Sequence, residues 1–319
     1  MYEAEFAVAA LDALSSLFAC LKTAIPLSAL QSLYDLLPKL LQLVLDNLKE
    51  SKNGALAAED AVDDEDEDQE AGYNDAADEE EVLYAWGRLQ ATLFETFPQL
   101  ITQHSWAISF IHQRFTAGKG KGKAGKKASS ASASSPVVND AFAHAAMGVL
   151  CDWLVWCGPE GAVPFGQQLV DLITWGLGQH ATPLVKQATV HLCGLMASRG
   201  GAAFRDFCLG VAPHLGKLIA RPDSGAPSQA AITDNAVSSL IRIHRAFSLA
   251  ASDSELIGGM LLPGLPVMQD EAEVPLVLEF LAGAWDPAAT WAPELKSRLQ
   301  RMQRMPGMAG NVNLSKILS

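Results

Sequence analysis

The sequence predicts an all-α fold, built as an α-α superhelix in which helical hairpins stack on one another. Hydrophobic residues make up 49% of the 319 positions, enough for most of the chain to bury a core. Between turn signals the apolar stretches run roughly 15 to 20 residues, which suits helices and exceeds ordinary strands. The helical pattern also recurs at a regular period, and such self-similarity is the signature of a repeat protein.

Apolar residues at helical spacing predict the individual helices. Their ranges are 2–21, 27–50, 80–97, 99–115, 138–157, 161–179, 183–199, 203–220, 229–249, 254–268, 271–285 and 287–305. Thr182 followed by Pro183 has the sequence of an N-cap with proline at the first helical position, and Asp286 with Pro287 repeats it. These signals indicate that short connectors join most of the helices.

The second helices of successive hairpins are predicted to begin near Val138, Pro183, Gln229 and Glu271. These starts lie roughly 42 to 46 residues apart, which is the period of two-helix HEAT units. A single amphipathic hairpin of this kind buries its apolar face only against a neighbouring hairpin. A stack of HEAT repeats is therefore the predicted architecture.

Two low-complexity segments interrupt the repeats. Residues 52–79 are acidic, and residues 117–137 are rich in Lys, Ser and Gly. Both lack apolar anchors, so we expect them to be disordered. They divide the chain into HEAT-type helices over 1–116, which include the acidic insertion, and a HEAT-repeat solenoid over 138–305. Residues 306–319 are predicted to form a flexible C-terminal tail.

The negative charge of the chain is concentrated in one segment. Residues 59–81 hold fourteen Asp and Glu and no Lys or Arg, and removing these charges from the net charge of −13 leaves +1. The segment is either a solvated spacer or a flexible tether for basic proteins. The candidate residues of this acidic loop are Asp63, Asp64, Glu65, Asp66, Glu67 and Asp68. Nucleic acid is not an expected partner, because phosphate binding requires clustered Lys and Arg on a folded face.

Cysteine and histidine usage bears on compartment and chemistry. The five cysteines are an odd number without CxxC spacing, which predicts buried thiols in a reducing compartment. No stretch reaches about 18 uncharged apolar residues, so neither a signal peptide nor a membrane span is expected. The histidines lack zinc-binding spacing, and no nucleophile elbow or dinucleotide fingerprint is present. We therefore expect no metal, no cofactor and no enzymatic activity.

A family resemblance lies in PLVKQATVHLCGLMASRGGAAFRDFC at residues 183–208 and AITDNAVSSLIRI at residues 231–243. Its distinctive features are Val185-Lys186-Gln187-Ala188, Gly194-Leu195-Met196-Ala197, Gly200-Gly201, Phe204 with Phe207, and Asp234-Asn235-Ala236. These segments resemble the C-terminal HEAT repeats of the importin-beta (karyopherin-beta) family, in the branch that contains importin-five and importin-four. The acidic run at residues 59–81 is similar to that branch as well, whereas the lysine- and serine-rich insertion departs from it.

The resemblance implies a nuclear transport receptor, of which this chain is expected to be a C-terminal portion. Such a receptor imports basic cargo, for example ribosomal proteins and histones, and releases it when Ran bound to GTP competes for the concave surface. Hydrophobic slots between its outer helices bind the phenylalanine-glycine repeats of nucleoporins. The implied location is the cytoplasm, the nucleus and the nuclear pore.

The same resemblance implies a protein-binding face. The second helix of each HEAT hairpin lines the concave surface, so polar residues on these helices are the candidates. They are Asp152, Lys186, Gln187, Asn235, Ser238, Arg242 and Arg245. Each is otherwise a solvated helix position, the commoner role of an exposed polar side chain. The alternative function is a HEAT-repeat scaffold or regulatory subunit of a phosphatase or kinase complex, which uses the same architecture.

Overall fold

The structure is a computed structural model that describes most of the chain. The described residues are 2–21, 26–59, 71–98, 106–116, 140–304, 308 and 310–319. They form helices joined by turns and contain no strand, so the predicted all-α class is confirmed. The chain divides into two compact units, unit 1 (Met1–Cys157) and unit 2 (Gly158–Ser319).

Unit 1 contains helices close to those predicted. They are α1 (Tyr2–Leu21), α2 (Leu27–Glu59), α3 (Ala71–Thr96), α4 (Trp106–Thr116) and the larger part of α5 (Asp140–Ala162). Because α2 continues to Glu59 and α3 begins at Ala71, both flanks of the predicted disordered insertion at 52–79 are helical. Residues 60–70, with the acidic candidates Asp63 to Asp68, lie outside the described residues, as does the predicted insertion at 117–137.

The core of unit 1 forms where α1 and α2 pack on α3. Four aromatic and aliphatic side chains of this core are nearly inaccessible to solvent. They are Phe18 of α1, Tyr34 of α2, Leu89 of α3 and Phe97, which directly follows α3. The rings of Phe18 and Phe97 meet edge to face with centroids 6.2 Å apart, a favoured aromatic geometry. Each such side chain contributes about 1.5–3 kcal/mol through burial, which fixes α1 against α3.

Unit 2 carries the segment on which the family resemblance rests. Its helices are α6 (Gly166–Gly176), α7 (Pro183–Arg199), α8 (Arg205–Ile219), α9 (Pro227–Phe247), α10 (Asp253–Leu256), α11 (Val274–Gly283), α12 (Ala292–Leu299) and α13 (Val312–Leu318). Helix α7 has the predicted bounds. The predicted helix at 254–268 is instead a short α10 followed by π and 3-10 turns, since Pro263 and Pro266 cannot donate the hydrogen bonds that a longer helix needs.

The helices of unit 2 pack in a regular order. Helix α7 lies along α9, α9 packs on both α8 and α11, and α11 packs on α13. The hydroxyl of Ser239 on α9 donates to the carbonyl of Val190 on α7 at 2.7 Å, a buried link between the two helices. Alternate helices are thus neighbours, which is compatible with the predicted stacking of hairpins.

The C-terminal segment differs from the predicted flexible tail at 306–319, because part of it is the helix α13. The Asn311 side chain caps this helix by accepting from the Leu314 amide at 3.0 Å. Leu314 and Ile317 are buried, and Lys316 Nζ donates to the carbonyl of Ala282 on α11 at 2.7 Å. A helix of seven residues is marginal alone, so its stability comes from packing on α11.

Gly194 allows the close approach of α7 and α9, and its replacement by alanine should destabilise unit 2. A Cβ at this position would lie 2.6 Å from Ser239 Oγ and 3.0 Å from Ser239 Cα. We expect Gly194→Ala to lower the free energy of unfolding by about 1–3 kcal/mol through overpacking, despite its higher helix propensity. Urea denaturation followed by circular dichroism measures this change.

Gly210 on α8 is the matched control, because a Cβ there meets nothing within 4 Å. Gly210→Ala should raise the free energy of unfolding by about 0.5–1 kcal/mol, the usual gain in an open helix. Equal effects of the two substitutions would contradict the assigned role of Gly194.

One stretch among the described residues is long and apolar enough to cross a membrane, judged by length and composition only. It is Asp140–Gly176, and 56% of its most apolar window is buried. Gly158 inside the stretch has φ 65° and ψ −177°, so the helical conformation is interrupted there. A core helix of a water-soluble protein passes the same test, so the stretch is weak evidence for a membrane span.

Candidate functional site

The polar side chains predicted on α9 belong to a buried network. Asn235 is 1% exposed and Ser238 is fully buried. Asn235 Nδ2 donates to Asp270 Oδ2 at 2.8 Å and to the carbonyl of Ala231 at 2.9 Å. Ser238 Oγ donates to the carbonyl of Asn235 and accepts from Arg242 Nη1, each at 3.1 Å. The polar stripe of α9 is therefore engaged by its own unit.

Asp234 fixes the turn that leads into α11. Its Oδ2 accepts the backbone N–H groups of Met268 at 3.0 Å, Gln269 at 2.6 Å and Asp270 at 3.0 Å. Burial raises the pKa of the Asp234 carboxyl, and the three N–H donors act in the opposite direction. One carboxylate thus satisfies three backbone donors and ties α9 to the segment that follows it.

Glu273, at the start of α11, is the second anchor of this network. Its carboxylate contacts His191 Nδ1 on α7 at 2.9 Å and Arg242 Nη2 on α9 at 2.8 Å. Burial alone would raise the pKa of Glu273, but the contact with His191 and the charge of Arg242 hold that pKa at about 2. The ionised Glu273 therefore joins α7 and α9 at the beginning of α11.

Asn235 and Ser238 were predicted on an exposed face, and that part of the prediction is wrong. Helix α9 packs on α7, α8 and α11, so solvent does not reach these side chains. The Arg242 side chain is only 18% exposed and is paired with Glu273. These three candidates stabilise the fold instead of forming a free surface.

The other candidates are more accessible to solvent. Lys186 and Gln187 are half-buried in the first turn of α7, and Arg245 is exposed near the end of α9. Asp152 is half-buried on α5 in unit 1. Their role in protein binding stays a prediction.

Arg245 lines a polar cleft between α9 and α11, the α9–α11 cleft, of about 440 Å³. The lining residues are His244, Arg245, Asp253, Glu279, Phe280 and Gly283. Arg245 Nη2 pairs with Glu279 at 2.8 Å, and its guanidinium lies 5.8 Å from the centre of the Phe280 ring. Both partners of this exposed pair remain available to a competing charged group.

His244 in the same cleft is a structural histidine. Its Nδ1 accepts the Ala250 amide at 3.2 Å, and its Nε2 contacts Asp253 Oδ1 at 2.9 Å. Because Nδ1 is an acceptor here, the proton of the neutral ring is on Nε2 and is donated to Asp253. Both ring nitrogens are occupied, so this arrangement holds the 248–253 turn and leaves no nitrogen for acid–base chemistry.

A second cavity is an apolar groove between α6 and α8, the α6–α8 groove, of about 410 Å³. Its lining residues are Thr174, Leu177, Gly178, Phe207, Gly210, Val211 and His214. Leu177, Phe207 and Val211 supply apolar lining, and His214 is the last of the lining residues along α8. Partial burial lowers the pKa of His214, and the nearby positive charges of Lys217 and Lys186 lower it further. This groove is not evident from the amino-acid sequence, since its walls come from two separate helices.

Burial keeps three of the five thiols protonated. Cys157, Cys193 and Cys208 are buried as predicted, whereas Cys20 is exposed and Cys151 is half-buried, contrary to the expectation that all five are inside. Burial raises the pKa of Cys157 and of Cys208 to about 12, and raises that of Cys193 as well. These three thiols are protonated at neutral pH and are poor nucleophiles.

Known proteins and metal-binding geometry give no further assignment. Comparison with protein-family models and with curated proteins found no match to this sequence. Within the described part of the chain, no group of three or more His, Cys, Asp and Glu side chains is placed to hold a metal ion. The features that bear on function are therefore the surfaces within each unit and the resemblance at residues 183–243.

Proposed function

We propose that this chain is a protein-binding α-α superhelix of the importin-beta type, the C-terminal portion of a nuclear transport receptor. The observation that carries the proposal is the packing order of unit 2, in which α7, α9, α11 and α13 are successive neighbours. This order is compatible with stacked hairpins, and such stacks form extended surfaces suited to binding other proteins. The importin-like sequence at residues 183–243 lies in α7, α8 and α9, which pack on one another.

The proposed receptor uses separate surfaces for separate partners. Arg245 and the half-buried pair Lys186 and Gln187 are the candidates of unit 2 that remain accessible to Ran bound to GTP or to cargo. The acidic residues 59–81 attract basic cargo such as ribosomal proteins or histones. Phenylalanine-glycine repeats of nucleoporins bind hydrophobic slots between the outer helices, as the resemblance implies. Its place of action is the cytoplasm, the nucleus and the nuclear pore.

The test is a set of binding assays on the full chain. We expect retention on an immobilised phenylalanine-glycine repeat column, and capture of Ran loaded with GTP but not with GDP. Deletion of residues 59–81 should weaken binding of a core histone at low salt and have little effect at high salt, because salt screens exposed charges. If the chain binds neither the repeat column nor Ran loaded with GTP, the proposed transport function is wrong.

The scaffold alternative has the same architecture and differs in its partners. A phosphatase or kinase scaffold is expected to bind neither Ran nor phenylalanine-glycine repeats, and to hold a catalytic subunit instead. Copurification of a stoichiometric phosphatase or kinase subunit with the tagged chain, together with negative results in the transport assays, would favour it. The residues that line the α9–α11 cleft and the α6–α8 groove suit either a transport receptor or a scaffold, so the binding assays distinguish the two functions.

A further inference from the structure

The α6–α8 groove combines an apolar floor with a basic end, and this combination indicates the kind of segment it binds. On α8, Phe207, Gly210, His214 and Lys217 are spaced by three, four and three residues, so they follow one face of the helix. Along that face the side chains change from an aromatic ring, through an open glycine, to the imidazole of His214 and the ammonium group of Lys217. The groove therefore has a direction, from apolar to basic.

The basic end contains residues from two helices. His214 and Lys217 belong to α8, and Lys186 at the start of α7 is close enough for its charge to act on His214. The lining residues of the groove include no carboxylate. Asp171 lies one turn before Thr174 on α6, where it accepts a hydrogen bond from Gln167 at 2.9 Å. The positive charges of Lys217 and Lys186 thus lie near His214 and lower the pKa of its imidazole.

The middle of the groove is open at Gly210. A Cβ built there meets nothing within 4 Å, so the backbone of α8 is exposed to the space between the helices. Phe207 and Leu177 are both half-buried, which leaves part of each apolar side chain for a ligand to cover. A volume of about 410 Å³ falls in the usual range of small binding sites and accommodates one large apolar side chain.

We propose that the α6–α8 groove binds an extended acidic segment of a partner protein, with one aromatic side chain on Phe207 and Leu177 and a neighbouring carboxylate beside His214 and Lys217. Burial of the aromatic ring supplies the affinity, and the basic end selects acidic over neutral segments. This inference does not depend on the transport function, because a scaffold with the same groove would bind the same segment. Neutral phenylalanine-glycine segments are the competing occupant.

The experiment measures fluorescence anisotropy of labelled synthetic peptides with the full chain. The first peptide carries a phenylalanine between aspartates, the second replaces the aspartates by serine, and the third replaces the phenylalanine by alanine. We expect the first to bind about tenfold more tightly than either of the others. No binding of the first peptide, or equal binding of the first and second, would overturn the proposal.

Substitutions locate the site. Gly210→Leu fills the groove and should weaken binding of the acidic peptide about tenfold, whereas Gly283→Leu, the same change in the α9–α11 cleft, should leave it unchanged. Lys217→Glu should weaken binding about fivefold at low salt and less at high salt. Circular dichroism checks that each variant is folded. Binding that is insensitive to both Gly210→Leu and Lys217→Glu contradicts the proposal, and this outcome is independent of the Ran and repeat-column assays.

Discussion

Replacing Asp234 by alanine should lower the free energy of unfolding of unit 2 by about 3 kcal/mol, because hydrogen bonds to a charged acceptor each contribute about 1.5–3 kcal/mol and are not fully additive. Asp234 Oδ2 accepts the N–H groups of residues 268, 269 and 270, and its side chain is nearly inaccessible. Alanine leaves all three donors without this acceptor. Urea denaturation monitored by circular dichroism gives the change in stability.

Asp234→Asn is the matched control for size and burial. It keeps a carbonyl oxygen that accepts at the same position but removes the charge, so we expect a smaller loss of about 1–2 kcal/mol. Hydrogen exchange should show faster exchange of the 268–270 amides in the alanine variant than in the wild type. Unchanged protection of these amides would show that Asp234 does not hold the turn.

The sequence predicts helix α7 well because its start is marked locally. Helix α7 begins at Pro183 as predicted, although the Thr182 side chain makes no capping hydrogen bond. The same signal at Asp286 and Pro287 is wrong as a helix start, since Asp286 accepts the Ala288 amide in a turn and α12 begins only at Ala292. The α10 region is predicted less well. There, Pro263 and Pro266 break an apolar stretch whose composition alone suits a helix.

The environment of the polar residues is harder to predict, because it depends on neighbours distant in the sequence. In α9, Ile232, Ala236 and Ile243 form the expected apolar face, yet Asn235 and Ser238 on another side are equally buried. Hydrophobic periodicity identifies the polar face of a helix, but it does not show whether that face is exposed to solvent or packed against a neighbouring turn. In this chain Asn235 donates a hydrogen bond to Asp270, 35 residues away. No local sequence pattern predicts that pairing.

The α6–α8 groove illustrates the same limit for the candidate site. Phe207 belongs to the motif that carries the family resemblance, and an aromatic residue at helical spacing is ordinarily assigned to the core. The structure leaves it half-buried, because Gly210 provides no side chain to cover the space beside it. A glycine one turn from an aromatic residue on a helix is a weak signal for such an opening. The groove forms only because α6 lies beside this face of α8, and the sequence of α8 does not predict that packing.

Glu273 should make the stability of unit 2 depend on pH in the acid range. Its pKa is about 2 in the folded chain, against 4.5 as the ordinary value, so the folded state binds fewer protons than the unfolded state between these values. The stabilisation is therefore fully present above about pH 4.5 and is lost as the pH falls towards 2. A shift of this size corresponds to roughly 3 kcal/mol. Urea denaturation of the wild type between pH 6 and 2.5 should show the loss.

Glu273→Gln separates this ion pair from the general effects of acid. The variant leaves Arg242 without its buried partner, so we expect a loss of about 3 kcal/mol at neutral pH, within the range for breaking a buried pair. The variant should then lose less stability than the wild type on acidification, since the carboxylate that titrates is gone. Glu279→Gln is the control, because its pair with Arg245 is exposed and should contribute less than about 1 kcal/mol. Equal losses of unfolding free energy in the two variants would contradict the role of Glu273. The α7–α9–α11 junction would then be stabilised by the Asp234 turn or by apolar packing alone.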